Sequence, residues 1–193
     1  MKRMILLLLP LFLCISGCVS KEEARETAAR EFDRCQASME AAIEPYLYIM
    51  REDTQPGDNY ESSDYYIRYY TVELDEATQI SIMLETYLSD VPEPSHLVSI
   101  TMSHTYGLGS NAPESHLAPF AAMVRSTGNQ AVTKNFCEQF LTDSSVGTTG
   151  DPQEQYNEKY YHSEDGKTFL YYYDDTEYSW QLSYEGELML PDE

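Results

Sequence analysis

The amino-acid sequence predicts an α+β domain in which helices pack on one face of an antiparallel sheet. Three observations support this class. An apolar stripe with helical spacing follows the N-terminal segment, strand-like runs with period-two alternation occur in two groups of about three, and two further helical patterns lie between those groups. The expected order is an N-terminal helix, three strands, helices and three more strands.

The N-terminal segment has the three parts of a secretory signal peptide. Lys2 and Arg3 provide a positive start, an apolar run covers residues 5–15, and small residues precede Cys18. The apolar run is well short of the roughly 20 residues that a membrane-spanning helix requires. We therefore divide the sequence into a signal peptide, residues 1–17, and a single acidic globular envelope domain, residues 18–193.

The end of this segment, Ile15-Ser16-Gly17-Cys18, resembles the lipobox of bacterial lipoproteins. The resemblance implies cleavage after Gly17, lipidation of Cys18 and a stable acyl anchor in the membrane. Val19 replaces the Asp that marks inner-membrane retention, so the resemblance implies the outer membrane, facing the periplasm, in a two-membrane bacterium. In a one-membrane bacterium it implies the outer face of the cytoplasmic membrane. The alternative is an ordinary secretory signal with an incidental cysteine.

The charge of the chain restricts its partners. The formal net charge is −21, and loss of Lys2 and Arg3 with the signal makes it about −23. Nucleic-acid binding requires a basic face that displaces counterions, so we expect no nucleic-acid partner. High acidity also disfavours a domain that lies flat on anionic lipid. It is compatible with simple solubility or with a basic envelope protein as partner.

Two cysteines remain after Cys14 leaves with the signal and Cys18 is lipidated. Cys35 and Cys137 lie on predicted apolar helix faces, in a compartment that permits disulfides. An even pair predicts one bridge between them. Two buried free thiols are the alternative.

The first helix is predicted over residues 21–44. Ser20 and Glu23 have the spacing of a capping box, and Pro45 ends the pattern. The apolar stripe consists of Ala24, Ala28, Phe32, Cys35, Met39 and Ala42. Only Val19 and Ser20 separate the lipidated cysteine from this helix, a reach of roughly 10 Å. The domain should therefore sit against the membrane surface.

The remaining elements follow in order. Alternation predicts strands at about 64–74, 78–89 and 96–106 as a meander. A helix is predicted to begin at Pro119 and stop at Gly128, and a second helix covers about 132–141. Asp165-Gly166 predicts a hairpin between residues 160–162 and 169–173, and a final strand covers about 177–184.

No catalytic or metal-binding pattern is evident, and we predict no cofactor. His96 and His104 lie eight residues apart on one strand, about 27 Å when extended, and nothing in the spacing requires His104 to meet His116. The acidic residues Asp174, Asp175 and Glu177 are typical of a solvated hairpin end. They are also the carboxylates that a rival function, envelope hydrolase, would use.

Paired tyrosines are the strongest candidate for a binding surface. Alternation along a strand places neighbouring rings on opposite faces, so one member of each pair should point to solvent. Exposed tyrosines are enriched at recognition surfaces. The sequence therefore favours a non-enzymatic binding domain, with a structural subunit of an envelope complex as a further alternative. The candidate binding residues are Tyr65, Tyr66, Tyr69, Tyr70, Tyr171, Tyr172 and Tyr173.

Overall fold

The computed structural model describes residues 20–53, 65–88, 95–104, 114–142, 156–162, 167–174 and 179–190. It confirms the α+β class. Within these ranges the helices are α1 (Lys21–Ile43), α2 (Glu114–Ser126) and α3 (Lys134–Thr142), and a 3-10 turn (Glu44–Tyr46) extends α1. The strands are β1 (Met50–Asp53), β2 (Tyr65–Glu73), β3 (Thr78–Tyr87), β4 (His96–His104), β5 (Tyr156–His162), β6 (Thr168–Asp174) and β7 (Ser179–Glu187).

The strands form one antiparallel sheet of seven in the order β1-β2-β3-β4-β7-β6-β5. The two predicted groups of strands join because β4 pairs with β7, from Leu97 opposite Glu187 to His104 opposite Trp180. The edge strand β1 was not predicted, since its four residues are too few for alternation to be recognised. It pairs with β2 from Met50 opposite Val72.

The predicted start of α1 is confirmed. The Ser20 hydroxyl accepts a hydrogen bond from the Glu23 backbone N–H at 3.2 Å, and the Glu23 carboxylate accepts one from the Ser20 N–H at 3.0 Å. The predicted stripe is correct except at its end, where Ile43 is buried and Ala42 is only half-buried. The buried residues are Ala24, Ala28, Phe32, Cys35, Met39 and Ile43.

The predicted start of α2 at Pro119 is wrong, because the helix begins at Glu114 and contains the proline. Proline inside a helix removes one hydrogen bond and crowds the carbonyl four residues earlier, and burial of Leu117 and Phe120 around it offsets that cost. The predicted stop is confirmed, since Gly128 follows the helix with φ of 105°.

All three helices pack on the same face of the sheet. The ring of Phe32 in α1 stacks on Tyr66 of β2, and Phe136 in α3 contacts Phe169 of β6. Between them, α2 packs against both other helices. The core lies between this helix layer and the sheet, and its largest fully buried side chains include Tyr70, Phe120, Trp180 and Tyr184.

The helix order contradicts the predicted bridge between Cys35 and Cys137, which are both free and buried. Cys35 belongs to α1 above β2, whereas Cys137 belongs to α3 above β6. These strands are four positions apart in the sheet, or about 19 Å at the usual strand spacing. A disulfide requires Cα atoms within about 7 Å. The intervening helix α2 therefore keeps the two thiols apart.

Candidate functional site

The sheet has a second face on which none of the described helices packs. Along β3 and β7 the side chains alternate between buried positions under the helices and more exposed positions opposite them. We call this second surface the open face. It carries Tyr65, Ile67, Tyr69, Thr71 and Glu73 of β2, Gln79, Ser81, Met83, Glu85 and Tyr87 of β3, Leu97, Ser99, Thr101 and Ser103 of β4, Thr168, Leu170 and Tyr172 of β6, and Gln181, Ser183, Glu185 and Glu187 of β7.

Tyr66 and Tyr70 lie on the helix side of the sheet, so neither ring belongs to the open face. The Tyr66 ring stacks on Phe32 with centroids 5.5 Å apart, and Tyr70 is fully buried. Arg68 lies between them, where it donates a hydrogen bond to the Tyr66 hydroxyl at 2.9 Å and another to Asp33 of α1 at 2.5 Å. These two tyrosines hold α1 on the sheet.

Tyr65 and Tyr69 lie on the open face, as a binding role requires. Tyr65 meets Tyr87 edge-on across the strands with ring centroids 5.0 Å apart. Both rings remain accessible, at 38% and 48% exposure. Tyr87 was not among the predicted residues, although its odd-numbered position on β3 gives the signal that places it here.

One tyrosine of β6, Tyr172, also lies on the open face. The register pairs Tyr172 with Gln181 of β7, which is exposed, and Tyr172 itself is half-buried on the open face. Tyr171 and Tyr173 pair with Leu182 and Trp180. Those partners are buried under the helices. For Tyr171 and Tyr173 the structure gives only these strand positions, and their binding role stays a prediction.

A groove of about 480 Å³ crosses the open face from β3 to β6. Two adjacent rows of cross-strand neighbours provide most of it. The first row is Met83, Ser99, Glu185 and Thr168, and the second is Glu85, Leu97 and Glu187. The remaining lining residues are Ser95, Val98 and Gly186. Its size is within the range of small-molecule and side-chain binding sites.

The groove combines apolar surface with carboxylates. Met83 and Leu97 provide apolar area, and Leu97 is 49% exposed. Glu85 and Glu187 flank Leu97 on the neighbouring strands, about 10 Å apart at the usual strand spacing. Glu185 lies on the same face of β7, two residues before Glu187. This group could not be recognised in the sequence because its members come from three separate segments of the chain.

His104 and His116 are held by neighbouring side chains at one end of the sheet. The His104 ring stacks on Trp180, and its Nδ1 atom lies 2.8 Å from the Thr78 hydroxyl. His116 is buried, with Nε2 3.2 Å from a carboxylate oxygen of Asp75. Burial lowers the pKa of His116, as does the nearby charge of His104, although Asp75 opposes this shift.

His96 is also engaged, because its Nδ1 atom lies 2.6 Å from the Thr86 hydroxyl and its ring contacts Phe32 edge-on. Burial lowers the pKa of His96 against the opposing charges of Glu31 and Glu187. In the part of the chain that the structure describes, no group of three or more His, Cys, Asp or Glu side chains is arranged to hold a metal ion.

Several predicted features fall outside the described residues. They are the signal peptide with Cys18, and Asp175 and Glu177 of the acidic cluster. For Asp174 the structure gives only the strand position, opposite Ser179. Among the described helices, none has the length and apolar character needed to cross a bilayer.

Comparison with protein-family models, with curated proteins and with solved structures returned no match for this chain.

Proposed function

We propose that this protein is a lipid-anchored, non-enzymatic binding domain of the bacterial cell envelope, and that its open face contacts a basic protein. The observation that carries the proposal is the groove, in which Met83 and Leu97 lie among Glu85, Glu185 and Glu187. Lysine and arginine have the complementary chemistry, since each joins an apolar stem to a cationic head.

The groove is suited to insertion of such a side chain. The stem would lie on Met83 and Leu97, and the head would reach the carboxylates of Glu85 or Glu187 on either side. The net charge of −21 adds long-range attraction, which accelerates encounter with a basic partner. Arginine would gain further from the aromatic ring of Tyr87, two residues beyond Glu85 on the same face.

The open face is large enough for a specific interface. Five neighbouring strands, β2 to β6 in sheet order, span about 19 Å, and a nine-residue strand is about 30 Å long. The projected area is therefore about 600 Å², and side-chain relief makes the accessible area larger. A standard protein interface buries about 800 Å² on each partner.

The signal peptide and the lipobox-like Ile15-Ser16-Gly17-Cys18 support the envelope location. Because α1 begins at Lys21, the folded domain would lie within roughly 10 Å of the lipidated residue. A membrane-bound domain in this position meets its partner at the bilayer surface.

The test uses residues 19–193, the mature chain without its lipidated Cys18, immobilised and exposed to envelope extract at increasing salt. The groove variant neutralises three carboxylates together: Glu85→Gln, Glu185→Gln and Glu187→Gln. The charge-matched control neutralises three exposed carboxylates elsewhere: Glu22→Gln, Glu26→Gln and Glu76→Gln.

We expect wild type and control to retain a basic protein that high salt releases, and the groove variant to retain none. Equal loss in both variants would show that net charge alone drives retention, and would contradict the role of the groove. Failure of the wild type to retain any salt-sensitive protein would contradict the proposed function as a whole.

A further inference from the structure

An exposed apolar projection lies where α1 ends and β1 begins. Tyr46 is 37% exposed, Leu47 90% and Ile49 74%. We call these three residues the tip. Leu47 and Ile49 are separated only by the half-buried Tyr48, and contiguous exposed apolar patches are typical of interaction sites.

The backbone at the tip is unusual as well. Leu47 has φ of 62° and ψ of 26°, the left-handed region that favours glycine or asparagine. Its N–H closes the 3-10 turn by donating to the Glu44 carbonyl at 3.0 Å. Glycine would close this turn at lower conformational cost. Since the Leu47 side chain is 90% exposed, its apolar surface contributes little to the core, which points to a contact outside the domain.

A depression of about 620 Å³ adjoins the tip. On α1, Ala37 and Ala41 lie one turn apart and are both exposed, beside a second exposed row formed by Glu40 and Glu44. The depression therefore has an apolar side that continues into the tip and an acidic side parallel to it. The described residues that line it include two carboxylates and no Lys, Arg or His.

We propose that the tip and this depression bind a basic amphipathic helix of a partner protein. The apolar stripe of that helix would contact Leu47, Ile49 and Ala41, and its lysine or arginine residues would face Glu40 and Glu44. A helix fits because the two rows run along α1, which is the arrangement for helix packing into a groove. This surface is distinct from the open face and does not depend on the function proposed for it.

Two other occupants fit less well. A second copy of the chain would also carry a net charge of −21 and would be repelled. Anionic lipid would be repelled by Glu40 and Glu44. The tip also lies at the far end of α1 from the proposed lipid anchor, because a helix of 23 residues extends about 35 Å. This distance further disfavours a lipid occupant.

The experiment measures binding of a synthetic 18-residue peptide to residues 19–193, the mature chain without Cys18. In the peptide, leucines follow one another at alternating intervals of three and four residues, which places them on one helix face, and lysine occupies the other positions. A scrambled peptide of the same composition serves as its control. The tip variant combines Leu47→Asn, which tolerates the left-handed backbone, with Ile49→Thr. The control is Met189→Thr, which changes an exposed apolar residue that lies outside both the tip and the open face.

We expect the tip variant to bind the peptide at least about tenfold more weakly than wild type, because two aliphatic contacts are lost. The Met189→Thr control should bind as wild type does. A further variant, Glu40→Gln with Glu44→Gln, should also weaken binding while leaving the apolar tip and its fold intact. Equal affinity for the scrambled peptide, or an unchanged affinity in the tip variant, would overturn the proposal.

The same variants distinguish the other occupants. Tip-dependent binding to phosphatidylcholine–phosphatidylglycerol vesicles, with peptide affinity unaffected by the tip variant, would assign the tip to a bilayer. Tip-dependent dimerisation in sedimentation equilibrium would assign it to a second copy. Either result would overturn the proposal that a partner helix binds the tip.

Discussion

Cys35 and Cys137 should be inert in the folded protein and fully reactive after unfolding. Their side chains are 0% and 1% exposed. Burial raises the pKa of each thiol from 9.0 to about 12. Since the thiolate is the reactive form, a rise of this size reduces its population about a thousandfold at a given pH, before any barrier to reagent access is added.

The assay is the release of chromophore from an aromatic disulfide reagent at pH 8. The protein is residues 19–193, purified without reductant and measured before and after addition of guanidinium chloride. We expect no reactive thiol in the native state and two in the unfolded state. Single variants, Cys35→Ser and Cys137→Ser, should each show one.

A result of no reactive thiol in guanidinium, rising to two after reduction, would reveal a bridge. That bridge would require α1 and α3 to touch and would refute the helix order in which α2 separates them. Rapid reaction of one thiol in the native state would instead refute its burial.

Three further predictions concern stability. Gly128→Ala should lower the free energy of unfolding by about 2–4 kcal/mol, since a Cβ there would collide with the Met189 carbonyl oxygen at a left-handed φ. Phe32→Ala should lower the free energy of unfolding by about 3–5 kcal/mol, because it leaves a cavity between α1 and the sheet. Stability should fall as pH decreases from 7 through 6.5, because burial holds the pKa of His116 below the value of 6.5 that its unfolded form has. The unfolded chain then takes up the proton first, and His116→Gln should reduce this pH dependence while losing the contact with Asp75.

Chemical denaturation checks all three. A midpoint unchanged by Gly128→Ala would contradict the close approach of the chain near Met189. Phe32→Leu is the control for Phe32→Ala, since it retains most of the volume and should cost less than about 1.5 kcal/mol. If wild type and His116→Gln lose stability in parallel as pH falls, His116 is not the responsible group.

Predictions from the sequence were correct for features that depend on residues close to one another in the chain. The capping box at Ser20 and Glu23, most of the buried stripe of α1 and the helix stop at Gly128 can be recognised from residue types within a few positions of one another. The paired tyrosines of β2 were also expected to divide between faces. Local alternation could not tell which ring would be covered, because that depends on where α1 packs.

The candidate site was recovered only in part. Tyr65, Tyr69 and Tyr172 were predicted and lie on the open face, whereas Tyr66 and Tyr70 anchor α1 instead. The groove was missed entirely. Its carboxylates come from β3 and β7, about 100 residues apart in sequence. They lie near one another only because both strands pair with β4.

By itself the sequence determined the class, the capped first helix, most strands and the strong negative charge, since each follows from composition or from periodicity over a few residues. The tertiary structure decided the pairing of β4 with β7, the covered face of the sheet, the separation of Cys35 from Cys137 and the exposure of Leu47. These features depend on packing between segments far apart in the chain. Local backbone preference carries no information about that packing, because it is fixed only when the whole core is buried together.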